Sequence, residues 1–146
     1  MNGSNDCYVL APDRSASLAV RFLERFLPRR EPSFERDDPS EVLCLSEGVN
    51  IDQVLEHLEA EHAQGYSMYF RNKDDANPRN AAVIFNEDGS LFFMLSIDAS
   101  EGESDADRYI QELQEFTDAR FAYRGWEEPP VLGAVEFEER AKLKIV

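Results

Sequence analysis

Apolar residues recur along this chain with two different periods, and the change from one to the other divides it into helical and extended stretches. Cys7 to Ala11 is a short apolar run ended by Pro12, whose ring removes a ladder donor, and it reads as a buried strand. Beyond it, Leu18, Phe22, Leu23, Phe26 and Leu27 return at steps of three and four, the spacing of one helix face. Ser15 is placed to cap that helix, Arg21 and Arg25 flank it, and Pro28 stops it. Arg29 to Pro39 carries Pro32 and Pro39 among many charges and predicts an extended surface crossing. Glu41 to Ser46 suits a further strand or a buried extended segment. Asn50 and Gln53 then form a weaker capping box ahead of Ile51, Val54, Leu55 and Leu58, with Gly65 as the stop and Glu56, His57 and Glu59 pointing to solvent.

The middle of the chain alternates instead. Tyr66 to Arg71, Ala81 to Phe85 and Leu91 to Ile97 are rich in aromatic and branched residues, and Asn86-Glu87-Asp88-Gly89 joins the last two, predicting an antiparallel meander. Lys73 to Asn80 is the polar connection before the hairpin. Leu91, Phe93, Leu95 and Ile97 fall on one face of their strand and Phe92, Met94 and Ser96 on the other, so both faces are largely apolar. Ser104 is a predicted cap for a third helix to about Thr117, with Tyr109, Ile110, Leu113 and Phe116 inward and Asp107, Glu112 and Glu115 outward. Ala119 to Arg124 resembles a closing strand with Phe121 and Tyr123 inward, and Trp126 to Pro130 a rigid turn. Glu136 to Lys144 fits either a short helix or a frayed strand.

The pattern predicts one α+β domain over residues 1–146, an antiparallel or mixed sheet of about five to six strands with three helices packed on it. Tyr69, Phe92, Met94 and Trp126 fall on the sheet face opposite Tyr66, Met68, Phe70 and Phe93. Two outcomes stay open for that second face: cover by helices or by the C-terminal tail, or exposure as an apolar partner site.

Charge then restricts the partners. Thirty Asp and Glu stand against 15 Lys and Arg, a formal charge of -15, which repels phosphate backbones and anionic lipid and attracts basic proteins. No apolar run approaches the roughly 18 residues that span a bilayer, so neither nucleic acid nor membrane is an expected partner. The acids are gathered: residues 37–64 hold eight of them and no Lys or Arg, and residues 101–118 hold seven against Arg108 alone. Cys7 and Cys44 form no CxxC pair and read as buried free thiols; the first residues lack the basic and apolar regions of a secretory signal, and a reducing cytoplasm is the expected compartment.

Candidate chemistry is sparse. His57 and His62 are five residues apart, which puts them on different sides of a helix, whereas a helical metal pair needs four. Asp98 to Asp107 resembles a calcium loop but sets Glu103 where the sixth-position glycine belongs and Tyr109 where the twelfth-position glutamate belongs. Asp74, Asp75 and Asp88 sit in loops and read as turn residues, and neither a glycine-rich phosphate loop nor GxSxG is present. No catalytic residue, cofactor or metal is expected, and the chain is read as not an enzyme.

Small, acidic, single-domain α+β chains of this kind look like bacterial toxin-immunity proteins, which are similar in size and charge and neutralise cognate toxins. The likeness is one of class and brings no functional residue with it. It implies a non-catalytic acidic protein-binding domain, an inhibitor of a basic protein partner. The residues predicted for that contact are Glu56, Glu59, Trp126, Glu127 and Glu128. Two other readings compete. One is a ligand-binding domain or enzyme with a helix/sheet pocket lined by Tyr66, Tyr69, Phe93 and Tyr123. The other is a structural or adaptor subunit that dimerises through the second sheet face, so that the chain is a monomer or a homodimer.

Overall fold

A computed structural model of the chain describes residues 4–32, 51–98, 103–126, 131 and 133–144. The elements are β1 (Ser4–Leu10), α1 (Ala16–Phe26), β2 (Arg30–Pro32), α2 (Ile51–Ala60), β3 (Tyr66–Asn72), β4 (Asn80–Phe85), β5 (Leu91–Asp98), α3 (Glu103–Thr117), β6 (Phe121–Trp126) and α4 (Ala134–Lys144). The six strands form one sheet in the order β2-β3-β4-β5-β1-β6. Every pairing in it is antiparallel, as the hairpin-rich sequence favours. No helix among the described residues is long and apolar enough to cross a membrane.

Alternation along the strands builds two cores. Cys7, Val9, Met68, Phe70, Ala81, Val83, Phe85, Leu91, Phe93, Leu95 and Ile97 face α1, α2 and α3. Tyr8, Ala82, Ile84, Phe92, Met94 and Tyr123 face the other way, where α4 covers them with Phe137 and Ala141, both fully buried. The second face is therefore covered by the C-terminal helix. Phe121 and Tyr123 point toward that helix, while Ala122 packs with the larger core.

Helix α1 begins where Ser15 leaves the extended region and its Oγ accepts from the Leu18 N–H at 3.1 Å. The helix ends before Pro28, and its buried face carries Phe22 flat against Phe93 at 4.5 Å and Phe26 edge-on to Phe116 at 5.7 Å. These ring pairs bind α1 to β5 and α3. The β4–β5 turn closes with the Asn86 N–H donating to Ser90 O at 2.9 Å, and Gly89 takes φ 91°, open to glycine at little cost.

Several predicted boundaries move. Among the described residues there are four helices where three were expected, because the buried residues described in α4, Phe137 and Ala141, lie one turn apart and make too thin a stripe to register as a period. Within the expected extended crossing, Arg30–Pro32 pairs with β3; proline is tolerated there because the strand lies at the edge of the described sheet. Helix α2 stops at Ala60, short of Gly65, and the chain turns as Gln64 N–H donates to Glu61 O at 3.0 Å. Ser104 falls one residue inside α3, whose first residue is Glu103. The stretch Glu41 to Ser46, the Asn50 cap and Cys44 lie outside the described residues.

Candidate protein-binding surface

The acidic residues of α2 stand on a helix fixed from three sides. Leu55 and Leu58 are buried beneath it against α1. Glu59 Oε1 accepts from the Ala16 N–H at 3.1 Å, so one predicted partner residue also satisfies an unpaired donor in the first turn of α1. Arg14 holds the same C-terminal end of α2 through its backbone. Its guanidinium donates to Leu58 O at 2.6 Å, Glu61 O at 2.9 Å, Gln64 O at 2.6 Å and Asn86 O at 2.9 Å, and it lies over the Phe85 ring at 4.9 Å. A cation at a helix C-terminus is favoured by the orphan carbonyls and the macrodipole. Arg14 is only 8% exposed, and this burial pulls its pKa down from the usual arginine value. With one arginine joining the end of α2 to the β4–β5 turn, the helix has little freedom to tilt.

On that fixed helix Asp52, Glu56 and Glu59 recur at steps of four and three and form an exposed stripe, continued by exposed Glu61. Like charges at this spacing cost a helix about 0.2–0.5 kcal/mol per pair. His57 and His62 are exposed beside them, and His57 Nε2 lies 3.1 Å from Gln64 Oε1. Among the described residues no group of His, Cys, Asp and Glu is arranged to hold a metal ion.

The predicted partner residues that are described do not share one place. Glu56 and Glu59 lie on α2, whose last turn is held by the Arg14 loop after the end of β1. Trp126 ends β6 opposite Asn5, at the start of β1. Glu127 and Glu128 lie outside the described residues. The aromatic set offered as a pocket lining is split as well: Tyr66 and Phe93 belong to the core under α1 to α3, Tyr69 and Tyr123 to the core under α4, and the sheet stands between them.

The loop carboxylates are held in local structure. Asp74 pairs with Arg29 at 2.8 Å, and Asp75 pairs with Arg79, which also reaches Asp98 at 3.2 Å. Asp88 does more. Its Oδ1 accepts from the Ser90 N–H at 3.0 Å, and its Oδ2 accepts from the Ala134 N–H at 2.8 Å, at the start of α4. Gly133 just before that helix has φ 90° and no side chain to cap it, and a Cβ there would lie 2.7 Å from Asp88 Oδ2. Asp88 thus takes the place of the missing cap from a distant turn. Desolvation pushes its carboxyl pKa up, but the bonds from Ser90 and Ala134 outweigh it and leave the group below the usual carboxylate value.

Sequence reasoning missed Arg14 and Asp88. Arg14 sits in Pro-Asp-Arg-Ser, which reads as a polar turn, and nothing local signals four distant carbonyl acceptors. For Asp88 the single signal was a glycine, Gly133, where a helix start wants a side-chain oxygen. Comparison with protein-family models, with curated proteins and with solved structures finds no match to this chain.

Proposed function

We propose that this protein is a non-catalytic acidic domain that holds a basic protein partner, in the manner of an immunity-type inhibitor. The observation that carries the reading is the acidic stripe of α2, presented on a helix that Arg14, Glu59 and two buried leucines hold in place. A preorganised charged face loses little freedom on docking, and its field speeds the encounter with a cationic surface. Like charges at this spacing cost the helix stability, and a cationic partner surface would relieve that repulsion. The reducing cytoplasm fits the same reading, supported by Cys7 as a buried free thiol.

The test is capture by the immobilised protein at low ionic strength, followed by washes of rising salt and identification of what elutes. The expected partner is basic, leaves with salt, and binds the Asp52→Lys/Glu56→Lys double variant with an association rate lower by roughly tenfold or more. Glu59 is left intact because its carboxylate also serves α1. A partner held equally well by the double variant would remove α2 from the interface.

A further inference from the structure

Helices α2 and α4 lie on opposite faces of the sheet, yet the C-terminus of one and the N-terminus of the other are tied to the same β4–β5 turn. On the α2 side, Asn86 O accepts the Gly89 N–H that closes the turn, at 3.1 Å, and also the Arg14 Nη1 at 2.9 Å. The remaining Arg14 donors hold Leu58 O, Glu61 O and Gln64 O. Packing adds a second seam. A Cβ at Gly65 would lie 3.0 Å from Glu87 Cγ and one at Gly89 3.7 Å from His62 O, so the residues that follow α2 rest directly on the turn.

From Asn86 the bonds continue to the other face. Its Nδ2 donates to Ser90 Oγ at 3.1 Å, that hydroxyl donates to Asp88 Oδ1, and Asp88 Oδ2 accepts from the Ala134 N–H at 2.8 Å. The relay Arg14, Asn86, Ser90, Asp88, Ala134 is unbroken from the carbonyls at the end of α2 to the first amide of α4. Asn86, its hub, is buried, where a hydrogen bond is stronger than it is in water.

Helix α4 is the element able to respond. Its described buried residues are Phe137 and Ala141, and Gly133 just before it takes φ 90° beside the Asp88 carboxylate. A helix held by so little apolar surface belongs to the low-stability end of a fold and opens before the rest. It therefore has two arrangements, seated and released, that a change at the turn can bias.

We propose that the β4–β5 turn couples α2 to α4: loosening the end of α2 is passed through Asn86, Ser90 and Asp88 and unseats α4, and release of α4 loosens the end of α2. By linkage the influence runs both ways. A ligand that clamps the acidic helix on one face would thereby steady the cover of the apolar face on the other. The coupling itself needs no partner and stands apart from the acidic-binder reading.

The test is residue-by-residue amide exchange in the full chain, with the amides of interior β5 as the marker of global unfolding. Arg14→Lys perturbs the end of α2 and should speed exchange at Phe137 and Ala141 by about fivefold. Phe137→Leu weakens the seat of α4, leaves every relay residue in place, and should speed exchange at Leu58 and Glu61 by about fivefold. Both are repeated in a Ser90→Ala background, where the relay is cut in the middle; each helix should then answer only to its own substitution. Cross-effects that persist without the Ser90 hydroxyl would mean that packing through the sheet carries the coupling, and would overturn the role of the turn. Helices that never respond to each other's substitution would overturn the coupling outright. So would equal acceleration in β5, the mark of a fold weakened as a whole. Should Arg14→Lys fail to fold, the Phe137→Leu arm decides alone, since it keeps the arginine.

Discussion

Arg14 shows what a single side chain can do when its donors are matched to the backbone. A planar guanidinium presents five N–H groups in a fixed fork, and here four carbonyls from two elements meet it. Truncation to Ala would leave buried carbonyls without a partner and should cost on the order of 2–4 kcal/mol in urea unfolding. Arg14→Lys should recover less than half of that, because a point ammonium cannot reach four acceptors spread around a fork. Full recovery by Lys would show that charge alone matters. None of this was readable from Pro12-Asp13-Arg14-Ser15, since the acceptors lie more than forty positions away in the chain and only the tertiary fold gathers them. By contrast, Ser15 as a cap followed from local spacing, because its donor Leu18 is three residues away.

Among the elements, strands β3 to β5 were readable because alternation and a Gly-containing turn are local signals. Their place beside β1 and β6 was not, since those pairings join distant segments that leave no periodic trace. Helix α4 was the hardest element. It is attached through the fully buried ring of Phe137, at 4.7 Å from Phe92 and 4.8 Å from Tyr123, with Ala141 also buried, Arg140 over the Tyr123 ring at 5.7 Å and Asp88 at its N-terminus. Asp88→Ala should cost about 1 kcal/mol, the usual loss for an N-terminal cap, and should speed amide exchange in α4 before the sheet responds. The pH dependence has a definite sign. The folded carboxyl titrates below its unfolded value, so its stabilisation is full above about pH 4 and is lost as pH falls through the lower, folded value. Acid titration of α4 exchange should show this in the native chain and be flattened in Asp88→Asn. An unchanged acid profile in that variant would assign the effect to another carboxylate.

For the chain as one body, a charge of -15 acts against compactness by self-repulsion. Salt shortens the reach of that repulsion from about 30 Å at 0.01 M to about 8 Å at 0.15 M, while surface pairs such as Arg29 with Asp74 contribute about 0–1 kcal/mol each. The urea midpoint should therefore rise between those salt concentrations; a fall would mean that the ion pairs outweigh the repulsion. The interior also contains its own recorder of opening. Cys7 lies fully buried on β1, between β5 and β6, its Sγ 3.6 Å from Ala106 O, and desolvation, aided by Asp6, pushes its pKa up to about 12. A thiol kept protonated and walled in cannot meet an alkylating reagent until β1 and α3 part. In a Cys44→Ser background, then, the rate at which Cys7 is modified becomes a clock for the rarest excursion of the fold, and a bound partner that steadies the native state would slow that clock without touching the sulfur.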